Sequence, residues 1–233
     1  MLIILILKNT ILPQRHGEKQ SFTSADDNRN QIIQGHKDTP LNELGIQQAR
    51  LTGQFLCQSQ TQFDQIWSSD LERAQKTAQV ISEQLKDPPS IQIDQRLRER
   101  FLGDLEGKPR EARNKRVNSQ SAEPPHSVLS RLLSFWNDNV IKSHTNDRIL
   151  IVSHGGALRS LIESGLVQTL NYRTSKDHST NVSFANCSIT TVEITHDSKL
   201  IKSIANVDHL EGKIKAFNLN ADDMNADDIN PQP

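Results

Sequence analysis

The chain has 233 residues, with 27 Lys+Arg against 28 Asp+Glu and a formal net charge of −1. This balance excludes a global pull toward nucleic acid or an acidic membrane surface, so any anion site must be a local cluster that the total conceals. The hydrophobic fraction of 34% is low. The length is nevertheless enough to bury a sizeable core, so the chain reads as a globular domain with polar additions.

Residues 1–7 are apolar throughout. They are too few for the ~20 residues of a membrane span, and they lack the basic start of a signal peptide. The run therefore predicts a buried parallel strand. A helix is expected from about Asn42 to Ser59. The next is clearer: Leu71, Ala74, Ala78, Ile81 and Leu85 form one apolar stripe at helical spacing. Ser68-Ser69-Asp70 ahead of it suits an N-cap, and Pro88-Pro89 lies beyond its end.

Residues 108–127 read as a loop carrying Lys108, Arg110, Arg113, Lys115, Arg116 and His126, either a solvated basic face or the rim of a substrate site. A third helix over 127–141 presents Val128, Leu132, Phe135, Trp136 and Val140. The run 148–153 ends at His154-Gly155-Gly156, and 157–166 reads as a helix. Such a strand–turn–helix places polar groups at the carboxyl end of a parallel strand. Residues 188–194 and 199–206 alternate on either side of a turn, which predicts a hairpin. Strands alternating with helices indicate a layered α/β domain. It is expected over 1–219, followed by a disordered acidic tail at 220–233 in which Asn-Ala-Asp-Asp occurs twice.

Cys57 and Cys187 form neither a disulfide framework nor a zinc motif. Idle thiols point to a reducing, cytoplasmic setting, where the sequons at Asn181 and Asn186 have no consequence.

Five short segments carry the chemistry. In order they are Arg15-His16-Gly17-Glu18; Gln34-Gly35 with Asp38 and Pro40-Leu41; Ser68-Ser69-Asp70-Leu71-Glu72-Arg73-Ala74; Arg96-Leu97-Arg98-Glu99-Arg100 with Gly103 and Glu106-Gly107; and Ser153-His154-Gly155-Gly156 with Leu158-Arg159. Together they resemble the histidine phosphatase, or phosphoglycerate mutase-like, superfamily, over about residues 11–210. Ile32-Ile33-Gln34-Gly35, the 96–100 segment with Glu106-Gly107-Lys108, and Asp208-His209-Leu210 resemble more closely the TIGAR-type fructose-2,6-bisphosphatases. The resemblance implies a three-layer α/β/α fold with a mostly parallel central sheet.

The chemistry of a phosphate monoester fits these residue types. Its transfer needs a nucleophile, cations for the equatorial oxygens and an acid for the leaving oxygen. A neutral imidazole can be that nucleophile. The resemblance gives this role to His16, phosphate clamping to Arg15, Arg73 and His154, and general acid catalysis to Glu99. The Glu99 carboxyl would be kept protonated by burial and by the substrate's charge. Asn28, Gln34, Gly35, Arg100 and Gly155 would bind substrate. No metal or other cofactor is required.

The implied partner is a small phosphorylated metabolite, with fructose 2,6-bisphosphate favoured and no nucleic acid or membrane; oligomeric state is left open. Two enzyme alternatives use the same residues, a phosphoglycerate mutase and a bisphosphoglycerate phosphatase. The separation of 55 positions from Glu99 to His154 leaves little room for the covering insertion of the mutase branch. A phosphate-binding scaffold without turnover is the non-enzymatic alternative.

The chain departs from the family pattern in three places. Pro13 interrupts the approach to Arg15, so the first strand is expected to be shortened or displaced. Lys19 replaces a small hydroxyl residue, and Asn28 lies about six residues farther from the motif than usual. The segment 124–127 lacks the family's glutamate and glycines. The other histidines, His36, His126, His144, His178, His196 and His209, are expected at the surface or in packing roles, with His209 the one placed in a family-like segment.

Overall fold

The computed structural model describes residues 2–7, 32–109, 121–144, 147–175 and 184–210. Seven strands form one sheet: β1 (Leu2–Leu7), β2 (Gln65–Ser68), β3 (Ile91–Ile93), β4 (Arg148–Ser153), β5 (Arg173–Thr174), β6 (Ile189–Ile194) and β7 (Lys199–Asn206), in the order β3-β2-β4-β1-β6-β7-β5. Four of the six pairings are parallel. The exceptions are β1 with β4 and the β6–β7 hairpin. The sheet is thus mostly parallel, as expected, and the hairpin falls where the alternation predicts it.

The strand expected at 1–7 forms, but its orientation is mixed. It runs parallel to β6 and antiparallel to β4, with Leu2 opposite Ser153 and Leu7 opposite Arg148. An unbroken apolar run has no inside–outside alternation to fix how it pairs, so the sequence does not specify its direction.

Four α-helices cover the sheet: α1 (Glu43–Gln58), α2 (Glu72–Ser82), α3 (Pro125–Trp136) and α4 (Gly155–Arg159). Strand β4 shows why the fold has three layers. Ile149 and Ile151 pack into one core with Val128, Leu132, Phe135 and Trp136 of α3 and Leu158 of α4. Leu150 and Val152 face the opposite core, with Ala49 and Leu56 of α1 and Ala74, Ala78 and Ile81 of α2. All four β4 side chains are fully buried. A strand apolar on both faces needs a helical layer on each side.

Asn42 caps α1 as its position predicts, its Oδ1 accepting the Gly45 N–H at 2.9 Å. The cap of α2 differs from expectation. Its N-cap is Leu71, with no side-chain bond of its own. Ser69 Oγ accepts the Leu71 N–H at 3.3 Å, and Asp38, 34 residues away, accepts the Glu72 N–H at 2.7 Å. A tertiary contact therefore closes this helix end, which a local reading cannot foresee.

Helix α3 starts two residues earlier than the stripe predicts, because Pro125 occupies the first turn, where its missing N–H does no harm. It continues as a wider π-type turn over Asn137–Ile141, and α4 continues likewise over Ser160–Thr169. Strands β2, β3 and β5 went unread in the sequence. At four, three and two residues they are too short for a period to register.

His209 is a packing residue. It is 5% exposed, its ring stacks on Phe55 at 5.2 Å, and its Nε2 lies 2.9 Å from Thr52 Oγ1. Asn186 is 2% exposed, so burial alone denies it a glycan. Asn181, the basic stretch 110–120 and the expected tail at 220–233 lie outside the described residues. Among the described residues no helix is long and apolar enough to cross a membrane.

Candidate active site

Three adjacent parallel strands, β3, β2 and β4, end on the same side of the sheet. The segments leaving their carboxyl ends carry Glu99, Arg73 and His154. The Ser69 N–H donates to Val152 O at 3.0 Å, so the β2–α2 and β4–α4 turns run side by side. This is where open α/β sheets gather their functional side chains.

His154 caps α4 in extended backbone geometry and is 3% exposed. Its Nε2 lies 2.9 Å from Ser69 Oγ. Burial holds the imidazole well below the ordinary histidine value, and the nearby charge of Arg73 pushes the same way. It is therefore neutral in the resting protein.

Arg73 enters from the first turn of α2 and is 4% exposed. Its guanidinium donates to Lys37 O at 2.9 Å and to Gly35 O at 2.8 Å. The 35–37 loop thus sets the direction of the guanidinium. Gly35 is required there for two reasons. Its φ is +52°, and a Cβ would overlap the Glu106 carboxyl group. Both favour glycine strongly. Gln34 beside it is 2% exposed.

Glu99 is reached by a short, braced path. The Asp94 N–H extends the sheet ladder to Ser68 O, and Asp94 caps a single 3₁₀ turn over Gln95–Leu97. Leu97 is fully buried, and its carbonyl accepts Ser153 Oγ at 2.6 Å. Arg98 forms a forked pair with Asp70, with Nε 2.7 Å from Oδ1. The next side chain, Glu99, is 2% exposed. Its Oε1 accepts the Arg100 N–H and its Oε2 the Gly156 N–H, each at 2.9 Å. A Cβ at Gly156 would lie 2.8 Å from Glu99 Oε1, so a larger residue there would displace the carboxyl group. Gly155 is buried in the first turn of α4.

The structure therefore gathers Arg73, Glu99, His154, Gln34, Gly35 and Gly155 around one end of the sheet. Arg100, expected to bind substrate, has its Nε bonded to Glu123 O at 2.7 Å. Arg15, His16, Lys19 and Asn28 lie outside the described residues. Among the described residues no cluster of three or more His, Cys, Asp or Glu is placed to hold a metal ion.

Sequence reading missed several participants. Ser69 appeared only as part of a motif and a cap; it touches His154. Glu123, just before Pro124, brings a carboxylate to the start of α3 and pairs with Arg131 at 2.8 Å. His36 has the packing role expected of it, its ring 5.3 Å from that of Phe101, and in addition its Nε2 lies 2.7 Å from Glu99 O. The one available signal was Arg131 itself, a charged residue bordering the apolar stripe of α3.

The histidines give stability a predictable pH dependence. Burial lowers His36 as well as His154; the charges of Arg98 and Arg131 also lower His36, while the Glu99 carbonyl and Glu106 oppose them. Both folded values sit below the unfolded value of about 6.5, so the unfolded chain binds more protons as pH falls through that point. Stability should be full above it and decline below. The pair with Arg98 holds the Asp70 carboxyl low, so its loss belongs to more acid pH. Urea midpoints measured from pH 7.5 to 5.5 should fall, and His154→Asn should flatten the fall. A midpoint independent of pH across that window would contradict the assignment.

Comparison with known proteins identifies relatives of the chain and of its fold. The broad-specificity phosphatase YOR283W of Saccharomyces cerevisiae is 30% identical over 208 residues, covering 84% of this chain and 85% of that protein. A phosphoglycerate mutase of Schizosaccharomyces pombe is 30% identical over 170 residues, covering 66% and 78% respectively. Among solved structures, Bacillus stearothermophilus YhfR shares the fold with a TM-score of 0.69 at 23% identity, covering 91% of this chain and all of that one. A model of the histidine phosphatase superfamily, branch 1, matches residues 11–207, and the chain belongs to that family.

Proposed function

We propose that the protein is a metal-independent phosphatase of small phosphorylated metabolites, acting through a phosphohistidine on His16. The observation that carries this reading is the convergence of Arg73, Glu99 and His154 at the carboxyl ends of three neighbouring strands. A buried cation, a carboxyl group and a neutral imidazole are the complement that phosphoryl transfer needs beside its nucleophile.

His16 attacks the phosphorus in line with the ester oxygen. Arg15, Arg73 and His154 take the charge growing on the equatorial oxygens. Glu99 protonates the leaving alkoxide, then accepts a proton from the water that hydrolyses the phosphohistidine. Asn28, Gln34 and Gly35 help to seat the phosphate, while Arg100 and Gly155 border it.

Chain length permits the arrangement. Leu7 lies at the end of β1 remote from His154, since it pairs with Arg148. The nine residues from Leu7 to His16 can extend to roughly 30 Å. A strand the length of β4 spans roughly 20 Å.

The same residues would serve a phosphoglycerate mutase, and one similar protein bears that name. The short interval between Glu99 and His154 favours hydrolysis, because a mutase must shield its phosphoenzyme from water. Fructose 2,6-bisphosphate remains the first substrate to test, on the strength of Gln34-Gly35, Glu106-Gly107 and Asp208-His209-Leu210. The free thiols Cys57 and Cys187 fit a reducing cytoplasm.

The test is a panel of sugar bisphosphates, phosphoglycerates and phosphopeptides, read for released phosphate and for interconversion of 2- and 3-phosphoglycerate. A quench in alkaline denaturant with radiolabelled substrate should trap a phosphoenzyme whose label is stable to base and lost in acid. Interconversion without phosphate release would establish the mutase instead. Binding of a bisphosphate without label or turnover would leave only the scaffold.

A further inference from the structure

We infer that Arg131, held by Glu123, is the positioning residue that aligns Glu99 for proton delivery; the inference rests on the phosphatase reading above. Arg131 projects from α3 toward the segment that carries Glu99. A guanidinium has five N–H donors, and here all five have acceptors. One terminal nitrogen donates to Arg96 O at 2.7 Å and Arg98 O at 2.8 Å. The other donates to Glu99 O and to Glu123 Oε2, both at 3.0 Å. Nε donates to Glu123 Oε1 at 2.8 Å.

Three of these five bonds go to main-chain carbonyls within four residues, the last being that of Glu99. A contact serving only helix packing or surface charge would not concentrate there. Glu123 aims the fork from the other side, and it is itself tied to the stretch just past Glu99. Its N–H donates to Phe101 O at 2.9 Å, its Oε2 accepts the Phe101 N–H at 3.3 Å, and its carbonyl accepts Arg100 Nε. Arg131 and Glu123 are both largely buried, at 18% side-chain exposure.

The Glu99 carbonyl accepts a second bond, from His36 Nε2. The His36 N–H is in turn held by Glu106 Oε1 at 2.8 Å. His36 belongs to the loop whose carbonyls orient Arg73. The main chain of Glu99 is therefore fixed from α3 on one side and from the Arg73-orienting loop on the other. Its carboxyl group accepts from the Arg100 and Gly156 N–H groups. Proton delivery depends on that placement, and displacement by about 1 Å can cost ~100-fold.

The experiment exploits leaving-group chemistry. An activated aryl phosphate departs as a stable phenolate and needs little protonation; an alkyl phosphate departs as an alkoxide and needs the acid. Arg131→Met and Glu123→Gln should each lower kcat/KM for 3-phosphoglycerate or another alkyl ester by about 10–100-fold. With p-nitrophenyl phosphate they should lose less than about threefold, in the pattern of Glu99→Gln. Arg131→Lys, which retains charge without the fork, should fall between.

Equal loss on both esters in a folded variant, or no loss on either, overturns the positioning role and leaves the phosphatase reading intact. Circular dichroism identifies a variant that has not folded, and Glu123→Gln then carries the comparison for Arg131→Met. Absence of turnover and phosphoenzyme in the unaltered protein would overturn the underlying reading, and the inference with it.

Discussion

Replacement of His16 by alanine should abolish turnover and leave no trappable phosphoenzyme. In the proposed phosphohistidine mechanism, the nucleophile is the one group whose function no neighbour can assume. A buried neutral imidazole such as His154 could in principle be labelled, but its Nε2 is already engaged with Ser69 Oγ. The loss of a covalent nucleophile is expected to reduce kcat by about 10⁴–10⁶, or roughly 5–8 kcal/mol of transition-state stabilisation. The fold should be indifferent to the change. The check is single-turnover phosphate release with far-ultraviolet circular dichroism as control. Labelling of His16→Ala at the level of the unaltered protein would mean that another group is the nucleophile.

Arg73→Ala should lower kcat/KM by about 10²–10³, the scale of removing one charge-stabilising donor from a preorganised site. Two features place Arg73 among the larger effects. It is nearly inaccessible to solvent, so its charge acts with little screening. Its direction is set beforehand by Gly35 O and Lys37 O, so little reorganisation accompanies the reaction. The same bonds predict a second consequence. Their loss leaves two carbonyls without this donor, at about 1–3 kcal/mol each where water cannot replace it. Arg73→Lys should restore part of the activity, since it keeps charge without the planar fork. Thermal unfolding beside kinetics separates the two consequences. A folded Arg73→Ala within about threefold of full activity would remove Arg73 from the phosphate clamp.

Much of the fold was legible because its principal elements are long and periodic. Ala74, Ala78 and Ile81 of the stripe become the buried face of α2, while Leu71 caps its start and Leu85 lies beyond its end at Ser82; 148–153 becomes the doubly covered β4. The site was legible through motif order: Arg73, Glu99 and His154 lie far apart in the chain, and each stands in a recognisable local context. The supporting shell was not legible. His36, Glu123 and Arg131 act through bonds to main-chain carbonyls and to one another across loops, and no residue spacing records a partner that is a carbonyl.

The amino end was legible only in part. An apolar heptad of residues announces a strand, but parallel and antiparallel ladders bury the same side chains, so only the assembled sheet selects between them. The cap of α2 is similar: the local polar residues were present, yet Asp38 from another loop makes the bond to Glu72.

The sequence by itself determined the α/β class, the family and the residue types available for phosphoryl transfer, because apolar periodicity and motif order are properties of the chain. The tertiary structure decided the direction of β1, the burial that keeps His154 neutral, and the paired grip of Arg131 and His36 on Glu99. Desolvation and hydrogen bonds to distant backbone groups arise only once the layers have closed.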